Sequence, residues 1–409
     1  MRAISQCRIC QGKSFKPVLE LGWQSLTGIF PKEINLTNFP GGFLNLVRCS
    51  DDGGCGLVQL DRSFDPNLMY GANYGYRSGL NRSMVEHLRK RVASLSKVLD
   101  LKAGDVVIDI GSNDGTTLSF YDSNLTRIGI DPTAQKFQSF YSPEIIVVSD
   151  FFNSKVALTA TRGKLASAIT SISMIYDLED PVQFFKEVGS VLAQDGVWVF
   201  EQSYMPLMLE RTAFDTICHE HIEYYSLRQI DLLLELAGLE AIDVETNDIN
   251  GGSFAVTVAH RGEREVSPSV FAMRERESQM YLNPEAKFLE FEASSKIAIS
   301  NLREFIFRAS SEGKRIAGLG ASTKGNVLLQ FADLSSEVIQ AIGDVNPDKF
   351  GSFTPGTWIP IVPESEVLKG GFDYYLVLPW HFKDFFLKSP IFDGKTLVFP
   401  LPELNVVKR

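Results

Sequence analysis

The chain has 409 residues, a formal net charge of -10 at pH 7, 29 phenylalanines and 12 tyrosines. This length allows two or three domains with separate cores, and the aromatic content argues against a disordered chain. The negative charge argues against a nucleic-acid partner, because binding to a phosphate backbone needs a basic surface. The N-terminus has no apolar leader segment, and no apolar run approaches the roughly 20 residues of a membrane span. The sequence therefore predicts a cytoplasmic globular protein without a membrane partner.

Four of the five cysteines lie in a predicted N-terminal module, residues 1–70. Cys7 and Cys10 have the spacing of a zinc-binding pair, and a turn-rich loop joins Cys49 to Cys55. In a reducing compartment, close cysteine pairs favour a thiolate metal site over disulfides. Four thiolates fill a tetrahedral coordination sphere, so the predicted Zn²⁺ is structural. The alternative is four unligated, partly buried thiols.

Two short strands are predicted in this module, at 44–47 and 56–60. The segment that follows carries Tyr74 and Tyr76, which are either one face of a strand or stabilisers of an oxyanion. A helix is then predicted from apolar residues that recur at spacings of four, four and three: Met84, Leu88, Val92 and Leu95.

The most informative stretch is 106–115, an apolar run that ends in a glycine-bounded polar turn. A continuous apolar run is typical of a buried parallel strand. Gly111 and Gly115 allow backbone conformations and close approaches that a side chain would forbid. A helix is predicted from about Thr116, with its free amides directed at the turn.

A second apolar run ends at Asp131, roughly 20 residues after Asp109, the spacing at which doubly wound sheets offer a carboxylate to ribose hydroxyls. The turn lacks the full G-x-G-x-x-G pattern, which favours one adenosine-bearing ligand over a dinucleotide. The pattern resembles the S-adenosylmethionine (SAM) site of class I methyltransferases. The predicted cofactor-binding residues are Asp109, Gly111, Ser112, Asn113, Gly115, Asp131, Pro132 and Asp150.

Strand and helix patterns alternate from residue 106 onward, which predicts a parallel sheet. The predicted strands are 106–110, 127–130, 145–148, 166–171 and 197–201. Two more strands, 241–246 and 254–259, flank Asn250-Gly251-Gly252 and predict a terminal hairpin.

A dense polar cluster, Cys218-His219-Glu220-His221, follows the fifth predicted strand. Ligands of open α/β sheets bind beyond the carboxyl ends of the strands, so this segment is expected to border the cofactor pocket. Three interpretations remain open: a metal site, a capped helix start with a structural histidine, and acid–base catalysis, for which imidazole has a suitable pKa.

A long helix is predicted over 288–306, with Ser295 interrupting its apolar face. A second strand-turn-helix follows at 315–326, and strands at 338–342, 374–378 and 396–399 complete a second Rossmann-like sheet. The third glycine of its turn is Gly325, which departs from the dinucleotide fingerprint. Ser322, Lys324 and Asn326 favour a phosphate ligand at the helix start, and the alternative is a capped helix with a solvated lysine.

In this order, the motifs resemble those of the nucleotide-sugar C-methyltransferases, over essentially the whole chain. The matching motifs are the four N-terminal cysteines, Tyr74-Gly75-Tyr76-x-Ser78-Gly79, the 109–115 turn, Asp215-Thr216-Ile217-x-His219-Glu220-His221, Asn250-Gly251-Gly252-Ser253, Gly318-x-Gly320-Ala321-x-x-Lys324-Gly325-Asn326, Asp344-x-Asn346-Pro347 and Thr354-Pro355-Gly356-Thr357. The resemblance implies an α/β protein with a zinc-binding domain (1–70), a class I SAM methyltransferase domain (71–285) and a Rossmann-like C-terminal domain (286–409) that contributes to nucleotide-sugar binding.

The resemblance also implies residue roles. A 4-keto sugar would lose an adjacent ring proton to His221, polarised by Glu220, and the enolate would attack the SAM methyl group. Tyr76 would stabilise the enolate, and Tyr176 would face the reaction cleft. The implied substrate-binding residues are Tyr74, His219, Tyr224, Asn250, Ser322, Lys324 and Asn326.

Three positions depart from the family pattern. Cys218 stands where tyrosine is common, and Tyr176 and Asn250 stand where histidine is common. These departures leave the sugar and the methylated position open. Methylation of a sugar oxygen and a non-catalytic nucleotide-sugar binding protein are the alternatives, and the expected oligomeric state is a monomer or a weak dimer.

Overall fold

The computed structural model describes residues 1–35, 37, 39–70 and 75–409, with the backbone alone at 67 and 68. Its strands are β1 (Arg2–Ala3), β2 (Phe15–Ser25), β3 (Gly41–Cys49), β4 (Val58–Leu60), β5 (Arg62–Ser63), β6 (Val106–Ile110), β7 (Thr126–Ile130), β8 (Ile146–Val148), β9 (Ala166–Ile172), β10 (Leu192–Ser203), β11 (Glu223–Tyr224), β12 (Leu239–Asn247), β13 (Ser253–His260), β14 (Ile316–Leu319), β15 (Ile342–Asp344), β16 (Ile361–Pro363), β17 (Tyr374–Val377), β18 (Thr396–Phe399) and β19 (Asn405–Lys408).

Its helices alternate with the strands from the middle of the chain onward. They are α1 (Pro66–Met69), α2 (Arg82–Val98), α3 (Ser154–Ala160), α4 (Pro181–Val191), α5 (Met205–Glu210), α6 (Leu227–Leu236), α7 (Pro268–Met280), α8 (Pro284–Ser311), α9 (Thr323–Phe331), α10 (Glu364–Lys369) and α11 (Lys383–Lys388). None of these helices is long and apolar enough to cross a membrane.

The central sheet has seven strands in the order β12-β13-β10-β9-β6-β7-β8. Strands β6 to β10 are parallel, and the β12–β13 hairpin adds to β10 in antiparallel register. Every residue of β6 is buried, as its continuous apolar run predicts. The predicted α/β class, the five parallel strands and the terminal hairpin are confirmed.

The helix predicted from Thr116 is wrong. The structure has one 3-10 turn there, Leu118–Phe120. Two β-branched threonines begin the segment, and an Asx turn, in which Asp122 accepts from the Asn124 amide, closes it before β7. So short a segment of poor helix formers cannot offset the cost of helix nucleation.

The C-terminal sheet has the order β16-β15-β14-β17-β18-β19, parallel except for β19. The predicted strand-turn-helix is β14 followed by α9, which confirms the second Rossmann-like unit. The strand predicted at 338–342 begins only at Ile342. Residues 338 and 339 instead donate their amides to the Ser335 carbonyl in a turn. On α8, Ser295 is fully buried and its hydroxyl donates to the Phe291 carbonyl at 2.7 Å, so the apolar face tolerates it.

The N-terminal strands form a sheet of order β11-β4-β3-β2. Its fourth strand, β11, comes from the middle of the chain, directly after the polar cluster at 218–221. One apolar core joins this sheet to residues 205–224, α8 and the C-terminal sheet, and a second core joins the cysteine region to the central sheet. The polar cluster thus lies where all three parts of the chain meet. The domain limits 1–70, 71–285 and 286–409 stay predictions.

Candidate active site

The four N-terminal cysteines converge in a geometry suited to one metal ion. Their sulfur atoms all lie within 4.8 Å of one another, and Cys7–Cys55 and Cys10–Cys49 Sγ pairs are each 3.5 Å apart. Tetrahedral Zn²⁺ with bonds of ~2.3 Å needs sulfurs about 3.8 Å apart, which this arrangement matches. The hydrogen bond between Cys7 and Cys55 lowers the pKa of Cys7 and raises that of Cys55, and burial raises the pKa of Cys49. Without a metal ion, Cys7 is therefore the ligand among these three that most easily forms a thiolate. The residues fit a structural zinc ion with no open position.

The glycine turn after β6 brings the predicted cofactor residues together. Gly111 and Gly115 have φ values of +73° and +75°, in the left-handed region that favours glycine. The Asn113 amide donates to Asp131 Oδ2 at 2.8 Å, and the amide and hydroxyl of Thr133 both donate to Oδ1 at 2.6 Å. The Asp131 carboxylate is therefore fixed beside the turn, where it can meet ribose hydroxyls.

Other predicted cofactor residues have different surroundings. Asp109 is buried beneath the turn, where it accepts from the Thr170 hydroxyl at 2.5 Å, and burial raises its pKa to about 7. Ser112 Oγ lies 2.7 Å from the hydroxyl of Tyr141, a core residue whose ring fills the space beside Gly115. These groups support the turn from the core side. Pro132 is half-buried next to Asp131, and Asp150 is exposed, with its carboxylate accepting from the Phe151 amide at 2.7 Å.

The segment that begins at Gly75 covers the turn. The amides of Ser78 and Gly79 donate to the side chains of Asn113 and Asp114, each at 2.9 Å, and Asn113 Nδ2 donates to the Tyr76 carbonyl at 3.1 Å. The Tyr76 side chain is 50% exposed. Sequence reasoning did not predict that this segment closes over the cofactor turn, and Tyr74 lies outside the described residues.

The orientation of His221 is set by a backbone carbonyl. Its Nδ1 lies 2.9 Å from the Thr216 oxygen, and its ring packs on Tyr176 with centroids 4.1 Å apart. Burial and the charge of Lys324 lower the pKa of His221 to about 3, so the imidazole is neutral at pH 7. Tyr224 supports the same turn, because its hydroxyl donates to the His221 carbonyl at 2.9 Å. The sequence-based expectation was that Glu220 polarises His221; Thr216 is the partner instead.

The two other members of the cluster face different neighbours. His219 is 1% exposed, its ring packs edge-on against Phe64 at 4.6 Å, and its Nδ1 lies 3.5 Å from Thr27 Oγ1. His219 is therefore packed against Phe64 and Thr27 and does not lie beside His221. This differs from the expectation that His219 contacts the substrate. Burial raises the pKa of Glu220 to about 7, and Cys218 Sγ donates toward its Oε2 at 3.9 Å. Cys218 itself is fully buried, as expected of a structural thiol.

Lys324 connects the C-terminal domain to this cluster. Its ammonium donates to the Asn250 carbonyl in the β12–β13 loop and interacts with the charge of Asp215. Asn250 Nδ2 also donates to Ser173 Oγ at 3.3 Å, beyond the end of β9. The predicted residues Asn250 and Lys324 therefore meet at the edge where the parallel strands end.

The other two predicted phosphate ligands, Ser322 and Asn326, form hydrogen bonds within the protein. Ser322 caps α9, with its oxygen accepting from the Gly325 amide at 3.0 Å. Asn326 is fully buried and its Nδ2 donates to the Thr27 carbonyl at 2.7 Å, so the structure does not bring it to the cleft. This differs from the expectation that Asn326 binds substrate.

Two residues of this cleft were missed by sequence reasoning. Trp380 Nε1 donates to Asp215 Oδ2 at 2.7 Å. Burial lowers the pKa of His381, and the positive charge of Lys324 lowers it further. Both residues follow β17, at the carboxyl edge of the second sheet. That position was the available signal, because ligands of such sheets bind at this edge.

Comparison with known proteins gives the family. Residues 7–70 match a family model for a proposed zinc-binding domain, residues 80–244 one for a methyltransferase domain, and residues 248–402 one for a C-methyltransferase C-terminal domain. The C-methyltransferase NovU of Streptomyces niveus is 30% identical over 417 aligned residues, which cover 100% of this chain and 98% of that protein. The chain belongs to the C-methyltransferase family. It is a SAM-dependent C-methyltransferase with a structural zinc site.

Solved methyltransferase structures are similar to this C-methyltransferase at a lower level. The mitomycin 7-O-methyltransferase MmcR is 13% identical, with 45% of this chain and 59% of that chain covered and a TM-score of 0.33. A SAM-dependent methyltransferase from Clostridium acetobutylicum is 13% identical, with 44% and 92% covered and a TM-score of 0.32. Similarity this low carries no argument about the substrate.

The zinc site predicts a metal-dependent fold. We expect Cys49→Ser to lower the zinc content from one ion per chain to nearly none and to lower Tm, because a structural site contributes its binding free energy to folding. Elemental analysis and thermal unfolding measure both effects. Cys218→Ala is the control, since this thiol lies outside the cluster; equal zinc loss in both variants would contradict the assignment.

Asp131 predicts a specific loss of cofactor affinity. We expect Asp131→Ala to weaken SAM binding by about 10- to 100-fold, because charge-assisted hydrogen bonds contribute roughly 1.5–3 kcal/mol. Isothermal titration with S-adenosylhomocysteine measures the change. Asp195→Ala, at an exposed position, serves as the control, and unchanged affinity in Asp131→Ala would remove this carboxylate from the site.

Proposed function

We propose that this C-methyltransferase methylates a ring carbon of a nucleotide-linked keto sugar through an enolate. The observation that carries the proposal is the His221–Thr216 hydrogen bond at the junction of the central and C-terminal domains. A keto sugar has an acidic C–H bond next to its carbonyl, so its methylation needs a positioned base and a group that stabilises the enolate oxygen.

His221 has the orientation of that base, and its lowered pKa means that an anionic ligand at Lys324 is needed to strengthen it. A carbonyl oxygen only accepts hydrogen bonds, so Nδ1 of His221 carries the proton that Thr216 binds. The lone pair is then on Nε2, which is available to take the proton from the sugar carbon. The C–H electron pair remains on the substrate as the enolate. SAM, when bound, supplies the methyl group to which the new carbon–carbon bond forms.

Two tyrosines can stabilise the enolate oxygen. Burial raises the pKa of Tyr176 well above its usual value, and the neighbouring Asp177 and Tyr76 add to this effect. The Tyr176 hydroxyl is therefore a neutral hydrogen-bond donor at pH 7. Tyr76 belongs to the segment that covers the glycine turn, where its carbonyl accepts from Asn113 Nδ2, and its charge acts on Tyr176, whose ring packs on His221.

Lys324 is the proposed contact to the anionic part of the substrate. Burial lowers its pKa, and the nearby Asp215 opposes that shift, so the ammonium form has a compensating charge. Ser322 caps α9 with its oxygen and can still donate its hydroxyl proton to a phosphate. Asn326 and His219 are assigned structural roles instead. The cytoplasmic location and the monomeric or weakly dimeric state remain predictions.

His221→Asn tests the proposed base. We expect it to reduce turnover by at least about 100-fold, within the range of general-base contributions, and to leave the affinity for S-adenosylhomocysteine unchanged. The assay follows S-adenosylhomocysteine formation over a panel of nucleoside diphosphate 4-keto sugars. His260→Asn, which alters a histidine of β13, is the matched control. Nearly full activity in His221→Asn would exclude the acid–base assignment.

Solvent-deuterium exchange separates carbon from oxygen methylation. Without SAM, the wild-type enzyme should exchange the ring proton next to the ketone, because enolate formation precedes methyl transfer. His221→Asn should lose this exchange. Methylated product without any exchange at the ring carbon would favour the O-methyltransferase alternative.

The charge of Lys324 predicts a coupled pH dependence. Lys324 contributes to lowering the pKa of His221, so Lys324→Gln should raise that pKa and Lys324→Arg should leave it low. On acidification, the imidazole of Lys324→Gln would then be protonated, and lose its function as a base, at a higher pH than in the wild type. A histidine NMR titration, assigned with His221→Asn, measures the shift; an unchanged pKa would contradict the coupling.

A further inference from the structure

The segment that carries His221 is part of the zinc module's sheet. Strand β11 begins two residues after His221 and pairs with β4, with Glu223 opposite Gln59 and Tyr224 opposite Val58. The Leu60 amide also donates to the Ile222 carbonyl at 2.9 Å. The backbone next to the proposed base is therefore held by the N-terminal module.

A single side chain from the cysteine turn extends this connection. Arg8 lies between Cys7 and Cys10 and is 6% exposed. Its Nη1 donates to the carbonyls of Leu60 at 3.0 Å and Ile222 at 3.4 Å. The same guanidinium also donates to Gln59 Oε1, the Arg62 carbonyl and Ser63 Oγ. Because its neighbours are zinc ligands, the position of Arg8 depends on the geometry of the cysteine cluster.

The N-terminal module also contacts the segment that carries His221 through the turn after β2. The turn after β2 brings Gly28 against Glu220, and a Cβ at Gly28 would lie 2.0 Å from Glu220 Oε1. The neighbouring Thr27 contacts His219 through its hydroxyl. The absence of a side chain at Gly28 is thus what leaves room for the Glu220 carboxylate.

We infer that the zinc module positions the proposed base, with Arg8 and Gly28 as positioning residues for the segment that carries Glu220 and His221. The geometry of the cysteine site then affects the rate of turnover, through the position of His221, as well as the stability of the fold. The inference rests on the proposed function for the role of His221. Its physical basis is that misplacing a reacting group by about 1 Å can cost 100-fold in rate.

Arg8 variants test the connection. Arg8→Met removes every guanidinium hydrogen bond with little change in length, and Arg8→Lys keeps the charge and part of the bonding. We expect Arg8→Met to lower kcat by about 10- to 100-fold with KM near the wild-type value, because the loss of the bonds to the Leu60 and Ile222 carbonyls shifts the segment that carries His221. Zinc content is measured in the same samples, since Arg8 lies between two zinc ligands. Arg8→Lys should recover part of the loss, and ring-proton exchange should fall in parallel with kcat.

Hydrogen–deuterium exchange of peptides covering 218–224 provides a readout without substrate. Faster exchange in Arg8→Met than in Arg8→Lys supports the connection. Wild-type kcat together with wild-type exchange in Arg8→Met would overturn it. If exchange changes as expected but the wild-type enzyme methylates no keto sugar, the proposed substrate fails and the positioning role stands.

Gly28→Ala keeps the inference testable if Arg8→Met loses zinc or fails to fold. Its added methyl group meets only the end of the Glu220 side chain among close neighbours, so the fold and the zinc content should persist. We expect kcat to fall by about tenfold or more, because displacing the Glu220 side chain shifts the backbone of its neighbour His221, with unchanged affinity for S-adenosylhomocysteine. Unchanged kcat in Gly28→Ala would refute the role of this turn.

Discussion

The hydrogen bond between His221 Nδ1 and the Thr216 carbonyl, 2.9 Å long, determines which nitrogen of the ring can react. The acceptor belongs to the backbone, so its position depends on the fold and not on the ionisation of another side chain. This differs from a histidine oriented by a carboxylate, whose partner would itself titrate. Glu220, whose pKa is raised to about 7, would be a pH-sensitive partner in that arrangement. The carbonyl gives a constant orientation across the physiological pH range.

Burial, and after it the charge of Lys324, keep the imidazole of His221, the proposed base, neutral. The negative charge of Asp215 opposes the lowering of the Lys324 pKa by burial. Asp215 itself accepts a hydrogen bond from the Trp380 indole. A cation near an imidazole disfavours the imidazolium form, so Lys324 preserves the lone pair of His221. An anionic ligand that neutralises Lys324 would raise the proton affinity of the imidazole. In the proposed reaction, binding of an anionic substrate at Lys324 would therefore strengthen His221 as a base.

The sequence predicts the parts of this protein that depend on local patterns. The buried strand β6 follows from its apolar run, whose five residues are all buried, and α8 follows from its apolar spacing. The glycine turn and the cysteine cluster were predicted from residue type and spacing, and the structure brings each set together. The helix expected at Thr116 fails because local turn formation competes with helix nucleation in a short segment.

Most features missed from the sequence arise from long-range contacts, and the Thr216–His221 hydrogen bond, which spans only five residues, depends on how the loop between them folds. No local pattern shows that Ser78 contacts Asn113, that Trp380 contacts Asp215, or that the Thr216 carbonyl meets His221. Asn326 shows the converse case, since its place in a phosphate-like motif did not reveal that it is buried against Thr27. Composition and spacing identify which groups are available, and the tertiary fold decides which of them face the ligand.

The position of β11 also limits the order in which the parts of the chain can fold. The pairing of β4 with β11 closes a very long loop of chain, so β4 has only one neighbouring strand until the central domain has been synthesised. An isolated 1–70 fragment would expose β4 as an open edge, the feature through which strands of separate molecules associate. Metal binding alone would therefore leave the fragment prone to aggregation. In the full chain, β11, the strand that follows His221, pairs with β4 and covers this edge.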